Sequence, residues 1–268
     1  MRPARARRVR IVLAAALTLW AVRANAQDFA TAEPAGPSAT AAAMLEHGLG
    51  SPGALRAEAL TTSWLGVPGL FTRAVCVAAA IHSVRVAAGA SQTGEGGSGW
   101  TSLGLALGAV TGSAGVAVRA VARRDADEAA GAGERNGVEV GGGAWIAAES
   151  GVVVWAQAPQ IANAGLAPPL PRALAVGVAV ERDGLGAWFE REAPARSGAD
   201  TGTHAAGAFI ALDAARVWIE GRGRPLRTGF GLTGGVIGVR VLTHPRLGDT
   251  VTLSVGFPAH PSPPRAAP

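Results

Sequence analysis

The sequence contains no tyrosine and no lysine, a single cysteine and few charged residues of any kind. Charged side chains make up 16% of the 268 residues, well below the usual quarter, whereas hydrophobic residues reach 49%. The single cysteine, Cys76, excludes an intramolecular disulfide framework and a cysteine-based zinc cluster. The high apolar content argues against a disordered chain.

Long hydrophobic runs are also missing. Outside the N-terminus, the longest clean apolar runs, residues 74–81 and 173–180, have eight residues each. A membrane-spanning helix needs roughly 18. The positive mean hydropathy of +0.26 therefore does not indicate a helical membrane protein.

The net charge of +5 is misleading, because it is concentrated at one end of the chain. All 24 basic residues are arginine, and six of them lie in the first 26 residues. The rest of the chain has 18 arginines and 19 acidic residues, a net charge of −1. The six are Arg2, Arg5, Arg7, Arg8, Arg10 and Arg23. The remaining chain does not have the basic surface of a nucleic-acid-binding protein, so we expect no nucleic-acid partner.

The N-terminus has the three parts of a cleavable signal peptide. Five arginines precede the apolar residues 11–22, and Ala24, Asn25 and Ala26 follow as an A-x-A cleavage site. We expect residues 1–26 to be a signal peptide, cleaved after Ala26, and the mature protein to be exported.

The mature chain is dominated by patterns of period two, which are typical of β-strands. Residues 250–257, for example, alternate Val, Leu and Phe with Thr, Ser and Gly. Short turns such as His82-Ser83 alternate along the chain with longer polar connections such as residues 93–99 and 159–171, as in outer-membrane barrels. Counting the segments predicts an all-β fold, a transmembrane antiparallel up-and-down β-barrel of about 14 strands.

This interpretation divides the chain into four parts. After the signal peptide, residues 27–56 are rich in Ala, Pro, Gly and Ser, with one short helical possibility around residues 41–47, and form an N-terminal periplasmic or plug segment. Residues 57–257 form the outer-membrane barrel, and residues 258–268 a disordered C-terminal tail. The expected location is the outer membrane of a Gram-negative bacterium.

The alternative all-β fold is a soluble secreted β-sandwich. A sandwich exposes a face rich in charged and polar side chains, whereas the second face here is mostly Ala, Gly, Ser and Thr. The barrel explains this composition better. Without tyrosine, the aromatic residues expected at the membrane interfaces are Trp64, Trp100, Trp155 and Phe257.

Motifs for catalysis, cofactors or metals are weak. Gly94, Gly96 and Gly99 match a dinucleotide-binding pattern, but a strand pattern rather than a helix follows them. The acidic residues at 125, 127 and 128 lack EF-hand spacing, and the five histidines show no metal-binding spacing. Buried Cys76 is expected to pack like alanine. We therefore predict no enzyme, no catalytic residues, no cofactor and no metal site.

One set of charged residues remains. If the Val and Leu faces contact lipid, several Arg and Glu residues point into the barrel, where buried charges must be paired or hydrated. They would either fill the lumen with ion pairs or line a hydrated pathway. The predicted lumen-lining residues are Arg85, Arg119, Arg123, Glu139, Glu181, Glu190, Arg216, Glu220 and Arg240.

Two segments resemble the FadL/PorV-like outer-membrane proteins. Residues 244–248 (HPRLG), leading into a strand that ends at Phe257, resemble the C-terminal hairpin of that family. Residues 51–55 (SPGAL) are similar to the Asn-Pro-Ala-x-Leu segment before its first strand. The resemblance implies a fourteen-strand barrel.

The resemblance implies two alternative functions. One is a FadL-like channel for small hydrophobic compounds, with residues 27–56 folded back as a hatch; the other is a PorV-like non-transporting scaffold for secreted proteins. A structural barrel without cargo is a third interpretation. The expected partners are outer-membrane lipid and the barrel-assembly machinery, together with small hydrophobic ligands or secreted proteins.

Overall fold

The computed structural model describes residues 29, 31–33, 36–38, 40–50, 55–67, 69–95, 98–127, 133–165, 173–194, 202–213, 215–223 and 225–257. The predicted signal peptide with its cleavage site and the predicted C-terminal tail lie outside these residues. None of the described helices is long and apolar enough to cross a membrane.

The described chain consists of one helix, α1 (Ala41–His47), and fourteen antiparallel strands that close into a barrel. The strands are β1 (Arg56–Ser63), β2 (Phe71–Ile81), β3 (Val84–Glu95), β4 (Ser98–Thr111), β5 (Ala114–Asp127), β6 (Gly133–Ala147), β7 (Val152–Ala164), β8 (Ala173–Arg182), β9 (Leu185–Pro194), β10 (Thr203–Ala211), β11 (Ala215–Arg222), β12 (Arg227–Gly234), β13 (Ile237–His244) and β14 (Gly248–Phe257).

Each strand pairs with its neighbour in sequence, and β1 pairs with β14 from Ala57↔Phe257 to Ser63↔Val251. The predicted fourteen-strand barrel is confirmed. The alternative β-sandwich is wrong, because the pairing of the first strand with the last closes one sheet on itself, so that β1 and β14 satisfy each other's backbone groups.

Several strands extend further than the sequence predicts. The expected loop at residues 93–99 is a hairpin, with Thr93 paired to Trp100 and Gly94 to Gly99. No helix starts there, so the glycine motif cannot bind a dinucleotide in the Rossmann manner. Two residues of the acidic group noted above, Asp125 and Asp127, lie in β5. Arg56, assigned above to the N-terminal segment, begins β1.

The outer face of the barrel is apolar. Leu103, Leu105 and Val118 are each more than half exposed and alternate with buried Ser102, Gly104 and Ala117. Exposed aliphatic side chains recur in this way on strands all around the barrel. Because such a face is stable only against hydrocarbon, the alternation matches that of outer-membrane barrels.

Candidate functional site in the barrel interior

Helix α1 lies inside the barrel, where it packs against β1 to β7. The Thr40 side chain accepts a hydrogen bond from the Ala43 N–H at 3.1 Å and so caps the first turn. Gly48 ends the helix in the left-handed conformation, with φ of 69°, and its N–H donates to the Met44 carbonyl. Residues 41–46 are all buried, so the helix fills part of the lumen.

A carboxylate of the barrel wall binds the N-terminal end of α1. Glu58 on β1 accepts hydrogen bonds from the N–H groups of Ala41 and Ala42, at 3.2 and 3.1 Å. These two N–H groups have no partner within the helix. Arg56, on the same strand, pairs with Glu58, and both side chains are buried.

A guanidinium of the wall binds the other end of α1. Arg119 on β5 donates to the Leu45 carbonyl at 3.1 Å and pairs with Glu139 on β6. A cation at the C-terminal end and an anion at the N-terminal end both interact favourably with the helix dipole. The wall therefore binds α1 with opposite charges at its two ends.

The wall facing α1 is lined by small residues. A Cβ atom on Gly104 would lie 2.8 Å from the Phe29 ring and 3.1 Å from the Leu45 side chain, and one on Gly89 would lie 2.9 Å from the Phe29 ring and 2.7 Å from the Leu45 side chain. Buried Ala and Cys76 make up most of the remaining wall surface here. Small wall residues leave the space that the N-terminal segment occupies.

The opposite half of the interior is lined by aromatic rings. One buried cluster contains Leu49 and four aromatic residues, Trp155, Trp188, Phe209 and Trp218. Trp145 packs against this cluster.

Each of these five aromatic residues is paired with a glycine on the neighbouring strand, and its ring occupies the space above that glycine. The pairs are Trp145↔Gly115, Trp155↔Gly177, Trp188↔Gly207, Phe209↔Gly186 and Trp218↔Gly231. A Cβ atom on any of these glycines would come within 2.6 Å of the ring or closer.

These positions correct the predicted interface aromatics. Trp64, Trp100 and Trp155 are 6%, 7% and 1% exposed, so they do not contact lipid headgroups. The prediction was wrong for these three, because each ring packs on the inner side of the wall or at its rim. Phe257 is 75% exposed at the end of β14, and its place at the membrane interface stays a prediction.

Three predicted lumen-lining residues form two polar groups, the first of which contacts the aromatic cluster. Glu190 accepts hydrogen bonds from the Trp155 indole and the Gln157 amide, both at 3.0 Å, and lies 3.5 Å from Arg222. Arg240 binds Glu220 through two hydrogen bonds of 2.6 and 2.8 Å. Arg222 was not predicted.

The other predicted residues are distributed more widely. Arg216 pairs with Glu181 at 3.0 Å, and its guanidinium lies 4.4 Å from the centre of the Phe209 ring. Arg123 stacks over Trp100 at 5.7 Å. Arg85 donates to the carbonyls of His82 and Val84 at the short-turn end of the barrel. Whether these residues line a pathway stays a prediction.

The wall changes its pairing at β7. The ladder between β6 and β7 continues to Ala164, with a bulge near Gly142, whereas the ladder between β7 and β8 ends at Gln157↔Ala175 in the described residues. We call the C-terminal part of β7, Ala158–Ala164, the seam. Its partners Val138 and Val140 on β6 have exposed side chains in the apolar outer face.

One buried amide accompanies the seam. Gln160 is 5% exposed, and neither its oxygen nor its nitrogen has a hydrogen-bond partner among the described atoms. Unsatisfied polar groups are costly in hydrocarbon and are tolerated where they line a hydrated cavity. A hydrated lumen would satisfy this amide.

Sequence reasoning missed Arg56, Glu58 and the glycine-paired aromatic cluster. The alternation of β1 places Arg56, Glu58 and Leu60 on one face, so the inward position of Glu58 could have been found from parity. The aromatic–glycine pairs could not, because they depend on register across strands. In the described residues, no three His, Cys, Asp or Glu side chains are placed to hold a metal ion.

Comparison with known proteins supports the fold. No family model and no curated protein matches the chain. Among solved structures, the CymD monoaromatic hydrocarbon channel superposes with a TM-score of 0.52 at 9% identity, over 75% of this chain and 86% of that one. A mutant porin of Rh. blastica superposes with a TM-score of 0.41 at 10% identity, over 76% of this chain and 98% of that one. The superposition with CymD shows that the chain shares the fold of that barrel.

Proposed function

We propose that this protein is an outer-membrane channel for small hydrophobic compounds. The observation that carries the proposal is the seam, where among the described residues the β7–β8 ladder ends at Gln157↔Ala175 while the β6–β7 ladder continues to Ala164, at the depth of the apolar outer face. A hydrophobic compound gains free energy by leaving the lumen sideways into lipid, since apolar surface is transferred out of water. A wall that is paired throughout offers no such exit.

The contents of the lumen fit this route. The aromatic cluster provides apolar surface inside the barrel, and Trp155 lies between Gly177 of the wall and Gly36 of the N-terminal segment. Residues 27–55, which include α1, would act as a hatch that covers part of this surface. The resemblance to FadL-like proteins and the likeness to a hydrocarbon channel support the same class of cargo.

Closing the seam tests the route. In a Cys76→Ala background, the substitutions Ala158→Cys and Leu174→Cys introduce two cysteines at the next positions along the β7–β8 ladder. Oxidation would join these cysteines by a disulfide. The matched control joins Val154→Cys and Val178→Cys, which are already paired. Uptake of the hydrophobic dye N-phenylnaphthylamine by cells should fall when the first pair is oxidised and recover on reduction, and the control pair should change nothing.

Single-channel conductance separates the alternatives. The purified barrel is compared with a variant that lacks residues 27–55. A steady pore only in the deletion variant would support the hatch. No conductance in either protein, no dye uptake above that of control cells, and secreted proteins that co-purify would contradict transport and favour the PorV-like scaffold.

A further inference from the structure

With three of the four predicted interface aromatics buried, another feature must mark the boundary of the apolar outer face. On β2 to β6, five outward positions lie directly opposite one another in the ladders: Arg73, Gln92, Thr101, Arg124 and Asn136. All five side chains are exposed. We call them the outer polar row.

The residues below this row are apolar. The next outward positions on the same strands are Val75, Ala90, Leu103, Ala122 and Val138, and the following outward positions are also without charge. On β2, eight residues separate Arg73 from Ile81 at the short-turn end. Eight residues at ~3.4 Å each, tilted by ~40°, span about 21 Å, close to the height of a lipid-facing band.

The row therefore lies where hydrocarbon gives way to lipid headgroups. It is on the side of the barrel opposite the ends of β1 and β14 that join the rest of the chain. In bacterial barrels this side, with the longer connections, is the external one.

The chemistry of the row favours one ligand. It contains two guanidinium groups, two amides and one hydroxyl, and no carboxylate. All five side chains can donate hydrogen bonds. Arginine binds phosphate through two parallel hydrogen bonds, and each is stronger than one between neutral groups. Arg73 and Arg124 lie three strand spacings apart, about 14 Å at ~4.8 Å per spacing.

We propose that the outer polar row binds the phosphate groups of lipid headgroups, with Arg73 and Arg124 as the principal contacts. The acyl chains of the lipid would lie on Val75, Leu103 and the apolar residues below. This site is on the outside of the barrel and is independent of transport through the lumen.

The test uses the full barrel in an uncharged detergent and measures bound lipid by native mass spectrometry. The probes are phosphatidic acid, diacylglycerol with the same acyl chains, and inorganic phosphate. The variant is Arg73→Gln with Arg124→Gln. The control is Arg182→Gln, an arginine that is exposed at the opposite end of the barrel beside Asp183. A gel shift on heating verifies that each variant is folded.

We expect phosphatidic acid to bind the wild-type protein and the control equally, and the double variant about tenfold more weakly, as the loss of charge-assisted hydrogen bonds implies. Equal binding of diacylglycerol, an equal loss in the Arg182 control or unchanged binding to the double variant would overturn the proposal. Inorganic phosphate that binds as tightly as phosphatidic acid would show a free-anion site and also overturn it.

Discussion

The two halves of the barrel interior are filled in different ways. Along β1 to β6, the wall contributes Gly, Ala and Cys76, and the N-terminal segment contributes the large side chains Phe29, Met44 and Leu45. Along β7 to β12, the wall contributes its own large side chains, each above a glycine of a neighbouring strand, and the N-terminal segment adds Leu49 to their cluster. The first half should therefore change more than the second when the N-terminal segment leaves.

The largest expected effect is on the reactivity of Cys76, which is 1% exposed beneath the N-terminal segment. A water-soluble maleimide should leave Cys76 unmodified in the native protein and label it completely after deletion of residues 27–55, since reaction requires access to the thiol. The control is Ser83→Cys with Cys76→Ala, which lies in the exposed turn between β2 and β3 and should react equally in both proteins. Rapid labelling of native Cys76 would contradict the packing of the first half.

Truncation of an aromatic side chain should be the most destabilising change in the second half. Trp155→Ala removes a fully buried ring and one of the donors to Glu190, and should lower the free energy of unfolding by about 3–5 kcal/mol. Trp155→Phe keeps most of the ring and should cost less. Urea unfolding in lipid vesicles measures both, and equal effects would show that the indole N–H matters more than packing.

Removal of the charge on Glu58 should affect the first half alone. Glu58→Gln removes the charge that pairs with buried Arg56, and should cost about 3 kcal/mol in the free energy of unfolding. Replacing both residues by methionine should recover much of that loss, because both charges of the pair are then removed together. The cost of Trp155→Ala, measured in the same urea titrations, should be unchanged in the Glu58 variant.

The smallest effects come from a matched pair of glycine substitutions. Gly104→Ala would contact Phe29 and Leu45 of the N-terminal segment, whereas Gly231→Ala would contact Trp218 of the wall. Each should cost about 1–3 kcal/mol by overpacking. Deletion of residues 27–55 should abolish the cost of Gly104→Ala and leave that of Gly231→Ala. Loss of both costs would mean that the two halves are not independent.

Much of the fold was predictable because strand periodicity is local. Alternation in residues such as 250–257 is visible in sequence, and the helix at residues 41–47 appears where a short helical possibility was noted. Strand ends were less predictable. The hairpin at residues 93–99 contains glycines and polar residues that look like a loop, yet its backbone hydrogen bonds are satisfied by continued pairing.

The candidate site was only partly predictable. Charged residues at inward parity, such as Glu190 and Glu220, could be listed from alternation, but their partners could not. The largest error concerned the tryptophans predicted at the membrane interface. Whether a tryptophan ring lies on the apolar outer face or inside the barrel depends on whether the residue paired with it leaves room for the ring. Trp155 is buried because the residue across the ladder, Gly177, leaves room for the indole.

The sequence alone determined that the chain forms fourteen alternating strands with an apolar face, because side-chain direction repeats every two residues whatever the rest of the chain does. Only the tertiary structure decided what fills the barrel. Strand register pairs each ring with its glycine, barrel closure brings Glu58 and Arg119 to opposite ends of α1, and the end of the β7–β8 ladder at Gln157↔Ala175, as far as the chain is described, defines the seam. These contacts join residues far apart in sequence, and no local pattern encodes them.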